Sequence, residues 1–435
     1  MDLAIEIKDL NHSFGKKIIC NNMNINFEYG KIYGLLGKNG TGKSTVGKAL
    51  YVAFNSFYEV QERIRKERFQ SIENMIQLMC DIYSAGNEKI INIHDYSVEL
   101  LENKDKYVGS TKNLKKDLIA MLGIDSDKVR LNLDKIRIDD FVERIAESLR
   151  ISDETILNSL VDRKLDTEFN NQLLNVFSEN KGTILLDIQN EKLVIKVDNA
   201  GAYVNRLDFN LHTEAIYIDD PFILDDMDLR FRRRRSKRSM NHREQLVEKL
   251  LLGNEHTSVV DEIVLENRFQ KIYGKLQNVC TGNMIQQKSG QMGYQLNNTD
   301  KSISVKNLST GLKTFVILKT LLLNGAIEEN GTIILDEPEI HLHPEWQLQF
   351  AELIVLLSKE FRINILLNTH SPYFLRAIQV YSAKYEMADK CKYYMSELVD
   401  NKKVNILDVS DDVDKIFEKL AQPLQVLENE RWNID

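Results

Sequence analysis

The sequence has few cysteines and no long apolar run. Only four of its 435 residues are cysteine, and they lie far apart without a Cys-x-x-Cys pair, at Cys20, Cys80, Cys280 and Cys391. This spacing excludes a disulfide framework and a cysteine-based metal site, and it is typical of proteins of the reducing cytoplasm. No segment reaches the apolar length that spans a bilayer. The first six residues lack the basic and then apolar order of a signal peptide, so we expect a cytoplasmic protein without a membrane segment.

Low-complexity segments, internal repeats and a sustained heptad pattern are absent as well. The missing heptads exclude a long coiled coil. The net charge of −8 argues against general affinity for nucleic acid, although it leaves room for a local basic site. The length suits two or three domains, or one domain that carries a large insertion.

One local basic site is present. The run from Arg230 to Arg238 places seven positive charges in nine residues, directly after the acidic stretch from Asp219 to Asp228. Such a density of charge does not pack in a core, so the run is exposed or paired. Two interpretations stay open. The run binds nucleic-acid phosphates, for which guanidinium groups are suited, or it is a solvated loop neutralised by those aspartates or by an acidic neighbouring subunit.

The segment Gly-Lys-Asn-Gly-Thr-Gly-Lys-Ser is a complete phosphate-binding loop. It follows a strand-like apolar run, 32–36, and opens a helix-like run, 44–55. Closely spaced glycines let backbone N–H groups point into one concavity, where the helix start adds partial positive charge. We expect Lys43 to contact the β- and γ-phosphates of ATP and Ser44 to ligate Mg2+. The residues expected to contact the nucleotide are Gly37, Lys38, Asn39, Gly40, Thr41, Gly42, Lys43, Ser44 and Thr45.

Two adjacent carboxylates follow a second apolar strand. Asp336 and Glu337 come directly after Ile333-Ile334-Leu335, which is the Walker B arrangement. A strand end would fix Asp336 where it holds Mg2+ together with Ser44. Glu337 would then orient and deprotonate the attacking water. The pair therefore predicts ATP hydrolysis.

Two further segments resemble loops of ABC ATPases. Ser309-Thr310-Gly311, which precedes a helical pattern, resembles the signature loop, although Thr310 stands where a glycine is usual. That resemblance implies that the loop closes on ATP bound by a second subunit. The local pattern alone favours an ordinary helix N-cap at Ser309 or Thr310. His370, in Asn-Thr-His-Ser-Pro, resembles the switch histidine that hydrogen-bonds the γ-phosphate.

The pattern of elements suggests one nucleotide domain that is split in sequence. We expect an ABC-like domain at 1–55, 180–220 and 290–385, with strands at 4–7, 24–27, 183–187, 192–197, 214–217, 332–335 and 364–367. Helical spacing of apolar residues predicts a helical insertion at 56–179. The remaining parts are a basic loop and helical segment at 221–289 and a C-terminal extension at 386–435.

Together, these motifs resemble those of stand-alone AAA/ABC-like ATPases (AAA family, SMC/RecF/OLD type) of bacterial antiphage defence, such as the Septu and PARIS ATPase subunits. The resemblance covers about residues 1–55 and 290–380. It implies an α/β fold, namely an ABC-type P-loop NTPase with an antiparallel β lead-in, a parallel core sheet and a largely helical insertion. It also implies a homodimer or higher homo-oligomer and a separate nuclease or toxin partner.

Some assignments stay open. Phe14 lies where ABC-type domains place an aromatic residue against adenine, but a core or turn aromatic is as consistent with its position. The glutamine-loop candidates are not separable and are Gln286, Gln287 and Gln291. His341 and His343 suggest a metal, yet no third and fourth ligand is visible, so we favour their resemblance to a dimer seam. The alternatives to a defence ATPase are an ABC-transporter nucleotide-binding subunit and a RecF-like DNA-repair ATPase.

Overall fold

The computed structural model of the protein describes residues 3–6, 30–83, 92–122, 134–172, 182–188, 191–227, 239–252, 270–287, 290–297, 299–399 and 403–432. The chain divides into two compact units. The first unit contains Met1–Tyr58, Leu160–Arg206 and Leu211–Asp435. The second unit contains Glu59–Ser159 and Leu207–Asn210.

The strands and helices are named in chain order. The strands of the described residues are β1 (Leu3–Glu6), β2 (Ile32–Gly37), β3 (Gly182–Ile188), β4 (Glu191–Asp198), β5 (Gly201–Val204), β6 (Ala215–Ile218), β7 (Gly282–Gln286), β8 (Met292–Leu296), β9 (Ser302–Ser304), β10 (Thr332–Asp336), β11 (Asn364–Thr369), β12 (Cys391–Val399) and β13 (Lys403–Asp408). The helices are α1 (Lys43–Phe57), α2 (Val60–Tyr83), α3 (Ile93–Glu102), α4 (Lys104–Val108), α5 (Thr111–Leu122), α6 (Asp134–Arg150), α7 (Asp153–Phe169), α8 (His242–Leu252), α9 (270–279), α10 (Thr310–Leu323), α11 (Pro344–Phe361), α12 (Pro372–Lys384) and α13 (Asp414–Trp432).

A six-stranded sheet forms the centre of the first unit, in the order β13-β12-β2-β11-β10-β6. Five neighbouring strands run parallel, and only the edge strand β13 is antiparallel to its neighbour. The central strands are apolar on both faces because helices cover both sides of such a sheet, and β6 and β10 are buried over almost their whole length. The predicted parallel core sheet is therefore confirmed.

The register of this sheet brings the functional loops to one edge. Leu36 lies opposite Thr369, Asp336 opposite Asn368, and Gly37 opposite Ser396. The carboxyl ends of β2, β10, β11 and β12 therefore meet at the edge where ligands bind in open α/β sheets. Helix α1 leaves this edge and buries its apolar side chains, such as Val46, Leu50 and Phe54, in the first unit.

Two smaller antiparallel sheets complete the strands of the first unit, in the orders β1-β3-β4-β5 and β7-β8-β9. The predicted strands at 183–187 and 192–197 correspond to β3 and β4, which pair along their whole length. The predicted strand at 4–7 corresponds to β1, which pairs antiparallel with β3. The predicted strand at 24–27 lies outside the described residues. An antiparallel sheet at the start of the fold is thus confirmed.

The described residues of the second unit are mainly helical, and its long segment, Glu59–Ser159, is shorter than the helical insertion predicted at 56–179. Residues at helical spacing in α2, such as Ile72, Ile76 and Met79, pack with apolar residues of α3 to α6 into a separate core. Its other fully buried members include Leu100 and Ile145. Within the described residues, no helix is long and apolar enough to cross a membrane.

The segment from 386 onward departs from its description as an extension. Its strand β12 is inserted beside β2 in the central sheet, and β13 forms the edge. The apolar pattern of β12 is interrupted by Lys392, Ser396 and Glu397. Because of these interruptions, the sequence does not show β12 as an apolar run. Ser396 is polar but buried. Its hydroxyl is satisfied by contacts with the phosphate-binding loop, which are described next.

Candidate functional site

The phosphate-binding loop connects β2 to α1. Gly40 and Gly42 adopt φ angles of 75° and 84°, in the left-handed region that glycine tolerates best. Gly42 directly precedes the first helical residue, Lys43. The Lys43 ammonium donates to the carbonyl oxygens of Gly37 (3.0 Å) and Lys38 (3.3 Å) and is almost fully buried. The loop therefore holds its lysine at the N-terminus of a helix, where an anion is stabilised.

Ser396 of β12 secures both ends of this loop. Its hydroxyl donates to the carbonyl oxygen of Leu36 (3.1 Å) and lies 2.7 Å from the hydroxyl of Thr41. Thr41 in turn donates to the carbonyl oxygen of Lys38 (2.7 Å). A Cβ atom at Gly37 would lie 1.7 Å from the Ser396 hydroxyl, so only glycine fits there. A strand from the end of the chain thus fixes the beginning of the phosphate-binding loop.

Asp336 ends β10 and has both carboxylate oxygens fixed by neutral donors. The Asn368 side-chain amide donates to Oδ1 (2.9 Å), and the Tyr217 hydroxyl donates to Oδ2 (2.8 Å). These donors come from β11 and β6, the two strands beside β10. The orientation of the carboxylate is therefore set from both sides.

Glu337 and His370 face each other. Glu337 Oε1 lies 3.0 Å from His370 Nε2, and the Glu337 N–H donates to the carbonyl oxygen of Asn368 (2.9 Å). Glu337 has a φ angle of 50°, which costs an L residue roughly 1–2 kcal/mol. Such local strain is common at functional sites, and the carboxylate of this strained residue lies beside His370.

Lys43, the carboxylates and His370 form one electrostatic group. Burial lowers the pKa of Lys43, while the negative charges of Glu337, Asp336 and Glu339 oppose that shift. Burial, followed by the charge of Lys43, lowers the pKa of His370, which Glu337 opposes. The structure therefore brings Lys43, Asp336, Glu337 and His370 together, although about 300 residues separate the loop from the others.

Glu339 accepts hydrogen bonds from the loop that carries His370. One of its carboxylate oxygens accepts hydrogen bonds from the Thr369 hydroxyl and from the backbone N–H groups of His370 (2.9 Å) and Ser371 (3.2 Å). Burial raises the pKa of Glu339, and these donors oppose the rise. Its other oxygen is buried without a hydrogen-bond partner. Glu339 thus links the turn after Asp336 to the loop that carries His370.

The donor set at this edge fits Mg2+. Hard oxygen ligands are preferred by Mg2+, which protein sites hold through one or two carboxylates together with nucleotide phosphates. Asp336 and the exposed Ser44 supply such oxygens. Within the described residues, no group of three or more His, Cys, Asp and Glu side chains could hold a metal alone.

The residues of the predicted signature loop lie at the start of α10. Ser309 is exposed and is the N-cap residue, yet its side chain accepts no capping hydrogen bond. With Thr310 and Gly311 it lines an open groove of about 300 Å³, which is completed by His341, His343 and Trp346. Two turns of the chain that were read separately from the sequence therefore form one surface.

Other predicted residues are placed apart from this group or are not described. Phe14 and the run from Arg230 to Arg238 lie outside the described residues. The Gln287 amide donates to Ser302 within the β7-β8-β9 sheet (2.9 Å). This contact does not decide which glutamine, if any, serves the nucleotide. Lys313, which follows the signature loop, is buried and pairs with Asp225 (2.6 Å).

Three residues of the site were missed by sequence reasoning, namely Tyr217, Glu339 and Ser396. Tyr217 was recognised only as the end of a strand, and its position beside β10 depends on sheet order. Glu339 was read as part of the run after Walker B. Ser396 lies in a strand that was not predicted. Three polar residues interrupt β12, and nothing in the sequence distinguishes Ser396 from Lys392 and Glu397.

Comparisons with known proteins agree with this geometry. The lantibiotic transport ATP-binding protein SrtF of Streptococcus pyogenes is 50% identical over 46 residues, which are 11% of this chain and 20% of that protein. The chain thus spans only about a fifth of SrtF. The phosphonates import ATP-binding protein PhnC of Fusobacterium nucleatum is 26% identical over 220 residues, which cover 45% of this chain and 86% of PhnC.

The chain also shows similarity to two solved structures. The SMC head domain from Thermotoga maritima has a TM-score of 0.38 and 11% identity, and the alignment covers 94% of this chain and 99% of that chain. CbiO1 from Clostridium perfringens, part of the ABC transporter complex CbiONQ, has a TM-score of 0.35 and 13% identity, with 99% of each chain covered.

The family comparison is more extensive. Residues 32–376, well over half of the chain, match one protein family across β2, the phosphate-binding loop, Asp336, Glu337 and His370. The chain contains an AAA/ABC-type nucleotide-binding domain, and it belongs to the family described as "AAA domain, putative AbiEii toxin, Type IV TA system".

Proposed function

We propose that this protein is an ABC-like ATPase that dimerises around ATP and regulates a partner nuclease or toxin in bacterial antiphage defence. The observation that carries the ATPase part is the convergence of Lys43, Asp336, Glu337 and His370 at one sheet edge. Glu337 Oε1 lies 3.0 Å from His370 Nε2, and the charges of Glu337 and Asp336 act on Lys43. Phosphoryl transfer needs positioning and charge neutralisation, which these groups supply.

In the proposed reaction, the phosphate-binding loop and Lys43 hold the β- and γ-phosphates. Mg2+, bound through Ser44 and Asp336, would neutralise phosphate charge. Glu337 accepts a proton from a water molecule whose oxygen attacks the γ-phosphorus. The bond between that phosphorus and the β–γ bridging oxygen breaks, which yields ADP and inorganic phosphate. His370 donates a hydrogen bond to the γ-phosphate. Because His370 also contacts Glu337, the presence of the γ-phosphate influences the position of the Glu337 carboxylate.

The proposed dimer rests on the groove at Ser309. A helix start whose N-cap side chain accepts no capping hydrogen bond is suited to an anion. The groove beside it is open, and His341 and His343 are among the residues that line it. In the dimer, this surface closes on the γ-phosphate of ATP bound by the other copy. The defence role and the nuclease or toxin partner are supported by the motif resemblance and by the family to which the chain belongs.

Calorimetry tests the ATPase part. The Lys43→Ala variant should lose ATP affinity by roughly 10- to 100-fold, because it removes a hydrogen-bonding cation from the phosphates. Lys415→Ala is the matched control, since Lys415 is an exposed lysine paired only with Asp412 (3.2 Å). Equal ATP affinity in Lys43→Ala and in the control would overturn the assignment of the phosphate-binding loop.

Phage plating tests the defence part. Cells that carry the gene with its genomic neighbours should restrict phage, and Lys43→Ala should abolish the restriction while Lys415→Ala preserves it. Full restriction by Lys43→Ala would show that ATP binding does not control the effector. The basic run is tested separately, since changing Arg232–Arg235 to alanine should weaken binding to duplex DNA at low salt if the run contacts phosphates.

A transporter subunit is the second candidate, and the match to 86% of PhnC favours it. In that case the gene should lie beside a permease gene, and the protein should associate with membranes only when that permease is present. A neighbouring nuclease or toxin gene, together with loss of phage restriction in Lys43→Ala, decides for the defence ATPase.

A further inference from the structure

We infer that Tyr217 is a positioning residue for Asp336, because its buried hydroxyl fixes the carboxylate that would face Mg2+ and ATP. The inference rests on the proposed function and deepens it. Tyr217 belongs to none of the nucleotide-binding motifs of the sequence. It lies on β6, one strand away from Asp336, and reaches it only because β6 is the parallel neighbour of β10.

The hydrogen bonds at Asp336 carry the argument. Rotation of an aspartate carboxylate about its terminal bond is only weakly restricted. Here the Tyr217 hydroxyl donates to one oxygen and the Asn368 amide to the other, at 2.8 and 2.9 Å. Both donors are neutral, so they orient the carboxylate without cancelling its charge. Each oxygen keeps lone pairs for a cation or for a water bound to it.

The space for the Tyr217 ring is provided by Gly47. This glycine lies one turn after Lys43 on α1, against the face of the sheet that carries Tyr217. A Cβ atom at Gly47 would lie 2.8 Å from Tyr217 Cε2 and 3.3 Å from its hydroxyl oxygen. The helix that begins at the phosphate-binding loop therefore carries a gap through which the phenol reaches Asp336.

The surroundings keep the phenol in one place. Tyr217 is fully buried, and its ring lies 4.6 Å from the His242 ring and 6.2 Å from the Tyr51 ring, measured between centroids. The hydroxyl is therefore shielded from solvent that would compete for its hydrogen bond to Asp336.

His242 is itself fixed by charge. Its Nδ1 contacts Glu168 Oε1 (2.5 Å), its Nε2 lies 3.0 Å from Asp219 Oδ2, and its backbone N–H donates to Glu168 (3.0 Å). Asp219 is also paired with Arg243 (2.8 Å). The ring against which Tyr217 packs is thus held on both nitrogens, so the phenol has a rigid support.

The test measures cation affinity rather than turnover. Full-length wild type and Tyr217→Phe are each saturated with a non-hydrolysable ATP analogue, and Mn2+ binding is followed by electron paramagnetic resonance. Loss of a group that orients a metal ligand should weaken Mn2+ binding roughly 10- to 100-fold. Binding of the analogue without metal should be unchanged, since the hydrogen bond that is lost goes to Asp336.

The matched control is Tyr107→Phe. Tyr107 is a buried tyrosine of the second unit whose hydroxyl donates to Asp117 (2.9 Å), so its loss removes the same kind of bond elsewhere. Unchanged Mn2+ affinity in Tyr217→Phe would overturn the inference, whereas a wild type that binds no ATP analogue would overturn the proposed function instead.

A second variant serves if Tyr217→Phe does not fold. Gly47→Ala keeps the hydroxyl but pushes the ring away from Asp336, and it should weaken Mn2+ binding in the same direction. Circular dichroism identifies which variants are folded. Wild-type Mn2+ affinity in a folded Gly47→Ala would contradict the inference as well.

Discussion

Two helices of the first unit, α1 and α10, begin at segments suited to anions, and their surroundings differ. At the start of α1, Lys43 is buried and donates to two backbone carbonyl oxygens. The charges of three carboxylates oppose the lowering of its pKa by burial. At the start of α10, Ser309 is exposed, its side chain caps nothing, and the neighbouring side chains are His341, His343 and Trp346.

This difference separates two tasks. The α1 side has the groups that we propose to hold Mg2+, activate water and contact the γ-phosphate. Among the described residues, the groove on the α10 side is lined by Ser309, Thr310, Gly311, His341, His343 and Trp346. We propose that this surface contacts the phosphates of ATP that a second copy of the chain holds.

The largest effect is expected on the α1 side. Glu337→Gln should reduce ATP hydrolysis by roughly 100- to 10,000-fold, because it removes a general base, while ATP affinity is retained. Phosphate release is the measurement. Glu360→Gln, on the outer helix α11, is the control and should leave turnover unchanged. Turnover equal to or faster than wild type would remove Glu337 from its proposed role.

The α10 side is tested by Ser309→Arg, which places a large side chain at the exposed helix start. Hydrolysis should fall by roughly 100-fold, because donors that stabilise transferred phosphate charge are blocked. Calorimetric ATP affinity should not change when it is measured at a chain concentration below the dimerisation range, since the α1 side is intact and dimerisation does not contribute to the measured affinity. The control Asn92→Arg alters an exposed N-cap of the second unit, where Asn92 accepts from Asp95. Weakened ATP binding in Ser309→Arg alone would erase the separation of tasks.

A smaller effect is expected at the support of the α1 loop. Ser396→Ala removes the hydroxyl that bridges Leu36 and Thr41, which should cost about 1 kcal/mol of the free energy of unfolding. Ser358→Ala should cost a similar amount, since the buried Ser358 donates to Ile363 (3.1 Å) far from the nucleotide. Only Ser396→Ala should also weaken ATP binding. Equal ATP affinities in the two variants would mean that Ser396 has a structural role alone.

The smallest expected effect is a pH dependence of the free energy of unfolding. It is caused by His242, whose ring packs against Tyr217. Burial lowers the pKa of His242, but hydrogen bonds to Asp219 and Glu168 and their charges outweigh it, so the pKa lies above 6.5. Its stabilisation is complete below that ordinary value and is lost as the pH rises through the raised pKa.

This sign predicts a measurable difference. The free energy of unfolding of wild type minus that of His242→Gln, obtained from urea titrations, should be largest at pH 6 and should shrink toward pH 9. Asp219 does not interfere in this range: burial raises its pKa, but His242 and Arg243 lower it to about 2. A difference that is constant over this range would contradict the charged state of His242.

Much of the α1 side could be predicted from the sequence, because contiguous motifs encode it. Gly37 to Ser44 determine a loop by their own backbone preferences, and an apolar strand before Asp336 fixes where the carboxylates lie. Parallel strands then bring Asp336, Glu337 and His370 to one edge. These are local signals whose meeting follows from the rules of α/β sheets.

The remaining groups depend on long-range register, which one sequence does not contain. Tyr217 reaches Asp336 through the pairing of β6 with β10, and Ser396 reaches Gly37 through the pairing of β12 with β2. Neither strand order follows from the apolar patterns of the strands. In β12, Ser396 itself interrupts the apolar pattern. The sequence predicts Gly47 only as a residue within a helix. Its closeness to the Tyr217 ring depends on the packing of α1 against the sheet.

The central claim is that α1 of one copy and α10 of another close on one ATP. Sedimentation of Glu337→Gln with ATP and Mg2+ tests it most directly, because the variant retains the nucleotide. We expect twice the mass of the 50.4 kDa chain with ATP and a single-chain mass after Ser309→Arg is added to the same variant. An ATP-saturated Glu337→Gln protein that sediments as a single chain would contradict the account.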